Sequence, residues 1–358
     1  MTQKTGGRLL YADVLRIFAA IAVIILHTSS FDWYSTPVSS YEWKIFNVYD
    51  SATRWCVPVF LMLSGMLFLN VEKPMPTSRI YLKYIPRILS ALVFWGVFYG
   101  IYNLIILSVD GYEAFTAADA IDIAKKFIFG PPWYHLWYLY AIIALYILTP
   151  VFRVFMAAAT RKDIEYLLIV FFLFGLVLPM VKKVLLDIDA TYKINFSIIE
   201  LTGYAGYFFA GFYFAKYDIP KQLKNAIYIL GVVSVVWTIA ITSNISRASG
   251  KPDGYWYGYL LPTTMFTSYA LFIAFKDVVG KIDFSEKSQS FILHLSSCTF
   301  GIYLVHDVIL KLFWRYGFSA SAFNPLVSIP LITASCFLIS WAIVIVLKKI
   351  PLLSRNIL

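Results

Sequence analysis

The chain has 358 residues, 60% hydrophobic and only 14% charged, with a mean hydropathy of +0.73. A soluble domain carries nearer ~25% charged residues, so a soluble globular fold is excluded and a polytopic membrane protein is expected. The formal net charge of +10 is then assigned to basic loops at a membrane surface, and no nucleic-acid partner is expected.

Apolar run length, with breaks at charged or Pro/Gly clusters, predicts ten spans at 11–31, 52–70, 86–108, 133–156, 164–186, 197–216, 225–243, 257–276, 294–316 and 325–347. The fold class expected is all-α: one polytopic transmembrane helical bundle in the lipid bilayer, a single domain over 1–358 with no appended soluble domain. The first stretch resembles a signal peptide but is too long, contains Arg16 and precedes many further spans, so it is expected to be retained. Residues 116–129 are too short and too charged to span, and read as an interfacial helix. The N-terminus, even-numbered loops and C-terminus hold 18 Lys and Arg against 11 in the odd-numbered loops and adjoining helix ends. That bias places both termini in the cytoplasm. No internal repeat is visible, which weighs against transporter folds built from paired halves.

Span one carries Asp13, Arg16 and His27 in an otherwise apolar run. Arg16 and His27 are eleven residues apart, about 1100° of helix, so they share a face, with Asp13 on the same side one turn before Arg16. They are separated by roughly 16 Å along the axis. A charged group near the membrane interior usually faces protein or a water-filled cavity, and the shared face reads as one wall of a site extending across the membrane. The plainer reading has Arg16 anchored by Asp13 at the inner interface and His27 in the outer headgroup layer. Histidine near neutral pH serves as a general base or accepts an acyl group.

After span two, Arg79, Lys83 and Arg87 recur every fourth residue and form one cationic stripe at the cytoplasmic surface, interrupted by Pro86. It is either ordinary positive-inside anchoring or a cradle for a phosphorylated cytosolic ligand. Span four opens with Trp133, Tyr134, His135, Trp137 and Tyr138. An aromatic belt accounts for the Trp and Tyr but not for His135. Aromatic faces also stack on sugar rings, so the segment reads either as a belt or as an outer acceptor site. Glu200, at the outer start of span six, is either a partner of Lys193 or an acceptor-side residue. His306 and Asp307 lie within span nine with Tyr303 one turn before; neighbours point about 100° apart, so the two cannot occupy one line. His306 is either half of a buried His–Tyr pair or faces the span-one cavity. The three cysteines, Cys56, Cys298 and Cys336, lack paired spacing, and no HExxH, CxxC, GxGxxG or Walker pattern is present. No metal is expected.

Five segments taken together, Arg16 to His27, FLMLSG at 60–65, HLWYL at 135–139, YFFAGFYF at 207–214 and FGIYLVH at 300–306, resemble the acyltransferase family 3 membrane proteins. Within that family the chain is similar to the surface-polysaccharide O-acetyltransferases, and the resemblance covers essentially its whole length. It implies transfer of an acetyl or other short acyl group from cytosolic acetyl-CoA or another acyl-CoA to a carbohydrate acceptor at the outer face, in the plasma membrane of a bacterium. Carried over by position, His27 matches the family's proposed catalytic His and Arg16 its paired Arg. Arg79, Lys83 and Arg87 fall where the family has a basic motif linked to CoA binding, and His306 matches a recurrent late-span His. Asp13 is grouped with the catalytic set, and His135, Trp137, Tyr138 and Glu200 with the acceptor side. Whether His27 is acylated or only acts as a base stays open, as does assembly into a homo-oligomer. The competing class is a transporter or flippase for a glycan or small metabolite, which needs no cytoplasmic CoA cradle; a sensor or scaffold leaves the intramembrane polar residues unexplained.

Overall fold

The computed structural model describes residues 4–5, 8–109, 121, 125, 127, 130–188 and 199–357. Its helices are α1 Leu10–Ser30, α2 Tyr41–Thr53, α3 Cys56–Phe68, α4 Ile85–Val109, α5 Trp137–Ala158, α6 Arg161–Phe172, α7 Leu178–Ile188, α8 Ile199–Lys216, α9 Lys221–Ser249, α10 Pro262–Asp277, α11 Glu286–Arg315, α12 Pro325–Leu347 and α13 Pro351–Asn356. A two-residue antiparallel pairing of Lys4–Thr5 with Arg8–Leu9 precedes α1. The molecule is an all-α polytopic bundle, as its composition requires.

Nine helices among the described residues are long and apolar enough to cross a membrane. They correspond to nine of the ten expected spans. The tenth, 197–216, forms as α8, which is shorter and more polar. Its interior position explains why it needs no apolar exterior. Tyr207, Phe208, Phe209 and Ala210 are fully buried, so this helix faces protein rather than lipid.

α1 occupies the middle of the bundle, touching α2, α3, α10, α11 and α12. Two-thirds of its apolar window is buried, against 17% for the Arg161–Leu185 helix at the periphery. Its small residues Ala19, Ala20 and Ala22 let neighbours approach closely. One face, with Leu15, Ala19 and Leu26, packs into a core shared with α3 and α8. The other, with Ile17, Ala20 and Ile24, packs with α4, α11 and α12.

Three local features position the site. The expected span 52–70 begins instead at Tyr41, where the Ser40 hydroxyl accepts from the Trp43 amide at 3.1 Å and caps the helix. It is interrupted at Arg54 and Trp55, because Pro58 has no N–H for the Arg54 carbonyl and its ring crowds that carbonyl. Before α4, the helix passes Pro86 through a π turn at Ile80–Tyr84 rather than by breaking; the wider turn accommodates the proline ring and shifts the register of the basic stripe. Finally, Arg153 of α5 donates to the carbonyls of Phe68 at 2.7 Å, Asn70 at 2.9 Å and Lys73 at 2.9 Å. This satisfies the end of α3 and ties down the segment that leads to that stripe. The interfacial helix expected at 116–129 lies outside the described residues except at 121, 125 and 127.

Both ends of the helical chain lie at one end of the bundle. Arg16, near the start of α1, donates to the Ser296 hydroxyl, and Lys348, just past α12, donates to the Ser297 carbonyl at 2.8 Å. This matches the even number of crossings expected from the sequence.

The α3–α8 crossing is closed by two glycines. A Cβ on Gly65 would stand 1.7 Å from the Phe208 carbonyl oxygen, and one on Gly211 1.9 Å from that of Met62. Neither backbone can move without separating the helices. Gly65→Ala and Gly211→Ala are therefore expected to destabilise the protein by at least the ~1–3 kcal/mol of ordinary overpacking. Gly130→Ala, with nothing within 4 Å, is the control. Thermal unfolding of the three variants in detergent checks the ranking.

Candidate active site

Arg16 and His27 both line one cavity of about 320 Å³. Their common face, expected from an eleven-residue spacing, is therefore a cavity wall. At the end bearing Arg16 the wall also includes Tyr84 and Arg87, and at the end bearing His27 it includes His135, Cys56 and Tyr259.

At the Arg16 end, three residues interlock α1 with α11. Arg16 Nη1 donates to Asp13 Oδ1 at 3.0 Å and to Ser296 Oγ at 3.1 Å, and the Ser296 hydroxyl donates to the same Asp13 oxygen at 2.6 Å. Asp13 is 2% exposed and is not on the cavity wall. Its carboxylate accepts from both Arg16 and Ser296 and so holds Arg16 in place. Arg16 is both paired and cavity-lining, so the two readings of its role drawn from the sequence are compatible.

At the other end three histidines meet. The His27 ring stacks on His306 with centroids 5.2 Å apart and planes 28° apart. His135 lies 5.2 Å from His306 and 6.4 Å from His27. Because two of the rings are stacked, their nitrogens do not converge, and no group of three His, Cys, Asp or Glu among the described residues is arranged to hold a metal ion. His306 Nδ1 lies 2.6 Å from the Tyr303 carbonyl. A carbonyl only accepts, so Nδ1 carries the proton and Nε2 is left as an acceptor; it is buried with no protein partner among the described residues. His135 is placed by the short helical turn Tyr134–Leu136 ahead of α5 and by the Tyr303 hydroxyl, which donates to its carbonyl at 2.5 Å. Both of its ring nitrogens are buried without a protein partner among the described residues. Such groups are costly unless a ligand or water satisfies them.

Asp307 points away from His306, as adjacent helical residues must. It is fully buried, accepts from Trp133 Nε1 at 2.5 Å and also accepts from the Tyr134 hydroxyl. The Lys311 ammonium lies 5.0 Å from the Trp133 ring. These contacts fix the loop before α5, and Tyr134 closes edge-on over His27 at 5.2 Å.

The other sequence-predicted residues divide. All three basic residues are exposed, and of them Arg87 lines the cavity while Arg79 and Lys83 do not, Arg79 standing 5.7 Å from the ring of the cavity residue Tyr84. Trp137 and Tyr138 line the cavity with His135; Trp137 stacks on Tyr259 at 5.4 Å. Glu200 falls in the first turn of α8, and its side chain lies outside the described residues, as does Lys193.

Sequence reasoning missed the buried ion pair of Arg54 with Asp50, having counted Arg54 only as a loop cation. The signal was present as opposite charges four residues apart, just ahead of an apolar run interrupted by Pro58.

No curated protein and no solved structure matches this chain. The family match described as "Acyltransferase domain" covers residues 9–345, from the residue before α1 nearly to the end of α12. That span takes in the cavity, both of its ends and every helix that lines it. The chain belongs to acyltransferase family 3 and is a multi-pass membrane acyltransferase.

Proposed function

We propose that this acyltransferase moves an acetyl or other short acyl group from cytosolic acyl-CoA to a hydroxyl of a cell-surface or lipid-linked carbohydrate at the outer face, as in the surface-polysaccharide branch of the family, in the plasma membrane of a bacterium. The observation that carries the reading is the single cavity with Arg16 and Arg87 at one end and His27 at the other. The Lys and Arg bias of the loops directs the cationic end to the cytoplasm. Coenzyme A is a polyanion attracted to a basic patch, and its thin pantetheine arm suits a cavity walled by apolar and aromatic side chains. Arg87 meets the phosphates at the mouth, with Arg79 and Lys83 adding field at the surface. Arg16, held by Asp13 and Ser296, orients the arm below His27.

At the outer end His27 takes the proton of the acceptor hydroxyl as the oxygen adds to the thioester carbonyl carbon. The carbonyl electrons move to oxygen, then return as the C–S bond breaks, and the thiolate leaves with the proton as CoA. If His27 is instead acylated first, its nitrogen makes the first addition and the hydroxyl the second, with the same products. His135, Trp137 and Tyr138 present a polar group and two aromatic faces to the sugar. His306, stacked on His27, holds that ring in place.

Replacing His27 with Ala is expected to lower the rate of CoA thiol release from acetyl-CoA by ~10²–10⁴-fold, with the folded yield unchanged; a variant at wild-type rate overturns the assignment. Incubation with labelled acetyl-CoA and peptide mapping distinguishes the two routes, since only the covalent one leaves label on residues 10–30. Arg87→Ala is expected to raise KM for acetyl-CoA about fivefold at unchanged kcat, as befits loss of a ~1 kcal/mol partly exposed charge contact, and Lys83→Ala to raise it less. Steady-state kinetics at two salt concentrations check this, because the Arg87 effect shrinks as salt rises.

A further inference from the structure

Acyl transfer places negative charge on the carbonyl oxygen, and Arg16, roughly 16 Å from His27 along α1, is badly placed to meet it. Another cation stands behind the wall at the outer end of the cavity, against the lining residue Tyr259. Arg54 stands where Pro58 interrupts the α2–α3 helix, and the next residues along, Cys56 and Val57, line the cavity with His27. Its guanidinium pairs through Nη2 with Asp50, lies 4.4 Å from the Tyr257 ring centroid and 5.9 Å from that of the cavity residue Tyr259. The surroundings hold it firmly. The Tyr257 hydroxyl donates to Asn47 Oδ1 at 2.6 Å, and Asn47 Nδ2 donates to the Ile239 carbonyl of α9 at 2.9 Å. Arg54 Nε is buried and has no hydrogen-bond partner among the described residues.

A buried arginine in a membrane segment is expensive, and a pair serving stability alone gains little over apolar residues of the same volume. A fixed cation with an unused N–H, set against a residue of the wall at the histidine end of the cavity, is instead what a developing oxyanion needs. We propose that Arg54 is the residue that stabilises the negative charge on the thioester carbonyl oxygen, Asp50 and Tyr257 holding its guanidinium toward the outer end of the cavity. The inference rests on the acyl-transfer reading of His27. In the step concerned, the nucleophile adds to the carbonyl carbon, the π electrons pass to oxygen beside Arg54, and they return to expel the thiolate of CoA.

The test uses the full chain in detergent, acetyl-CoA as donor and water as acceptor, and reads CoA thiol release together with CoA affinity. Arg54→Lys keeps the charge and the Asp50 partner but lacks the Nε–H; kcat is expected to fall about tenfold or more with CoA affinity unchanged. The double variant Arg54→Met with Asp50→Asn removes both charges, leaving neither buried alone, and should fall by ~10²–10³-fold, the cost of losing an oxyanion donor. Wild-type kcat in Arg54→Lys overturns the proposal. So does a loss of CoA affinity that parallels the loss of rate, since that marks a structural role. His27→Ala is run alongside. If it is inactive while the Arg54 variants turn over normally, only this inference fails; if it releases thiol at the wild-type rate, the acyl-transfer reading fails first.

Discussion

A charge inside an apolar bundle must be paired, hydrogen-bonded or turned toward a cavity, and this constraint shapes the molecule. Arg16 is held by Asp13 and Ser296, Arg54 by Asp50 and two tyrosine rings, and Asp307 by Trp133 and Tyr134. Each solution joins helices that are distant in sequence. Asp13 reaches α11 through Ser296, and Asp307 reaches the loop before α5. The polar residues of the interior thus act as cross-links between helices, at the level where the cavity passes between them. In an apolar medium these contacts have little competition from water, and a missing partner costs more than a present one contributes.

Close helix contact does the complementary work. α1 carries alanines where its neighbours cross, and α3 and α8 meet through Gly65 and Gly211, with no room for a methyl group. Without hydrophobic gain between helices in lipid, such small-residue crossings supply packing. They also set the bore of the cavity. Phe60, Leu63 and Ser64 of the FLMLSG segment line it, while Gly65 on the opposite side of α3 faces α8. The motif therefore has one side for packing and another on the cavity.

The histidine cluster shows how much depends on three separate elements. His27 comes from α1, His135 from the turn before α5 and His306 from α11. Their rings are brought within 5.2–6.4 Å of one another. Two have nitrogens buried without protein partners among the described residues, which is tolerable in a site that meets a ligand and costly elsewhere.

Helix periodicity alone placed Arg16 and His27 on one face, because 3.6 residues per turn brings positions eleven apart nearly into line. Hydropathy predicted the spans, since a bilayer demands long apolar helices, though boundaries moved where local chemistry intervened: Ser40 extended the second span backward, and the span expected at 197–216 forms as the shorter, interior helix α8. The cationic stripe at 79–87 was legible as three charges at regular spacing, but only the structure shows that Arg87 lines the cavity and Arg79 and Lys83 do not. Asp307 could be separated from His306 by angle, yet its partners could not be read from sequence. The Arg54–Asp50 pair was visible as a spacing, but its surroundings were not, because the rings of Tyr257 and Tyr259 arrive from a segment roughly 200 residues further along the chain. Local periodicity and composition are properties of neighbouring residues and survive in a linear reading; convergence of side chains across the bundle depends on helix crossings, and these were decided by small-residue packing and buried polar pairing in three dimensions.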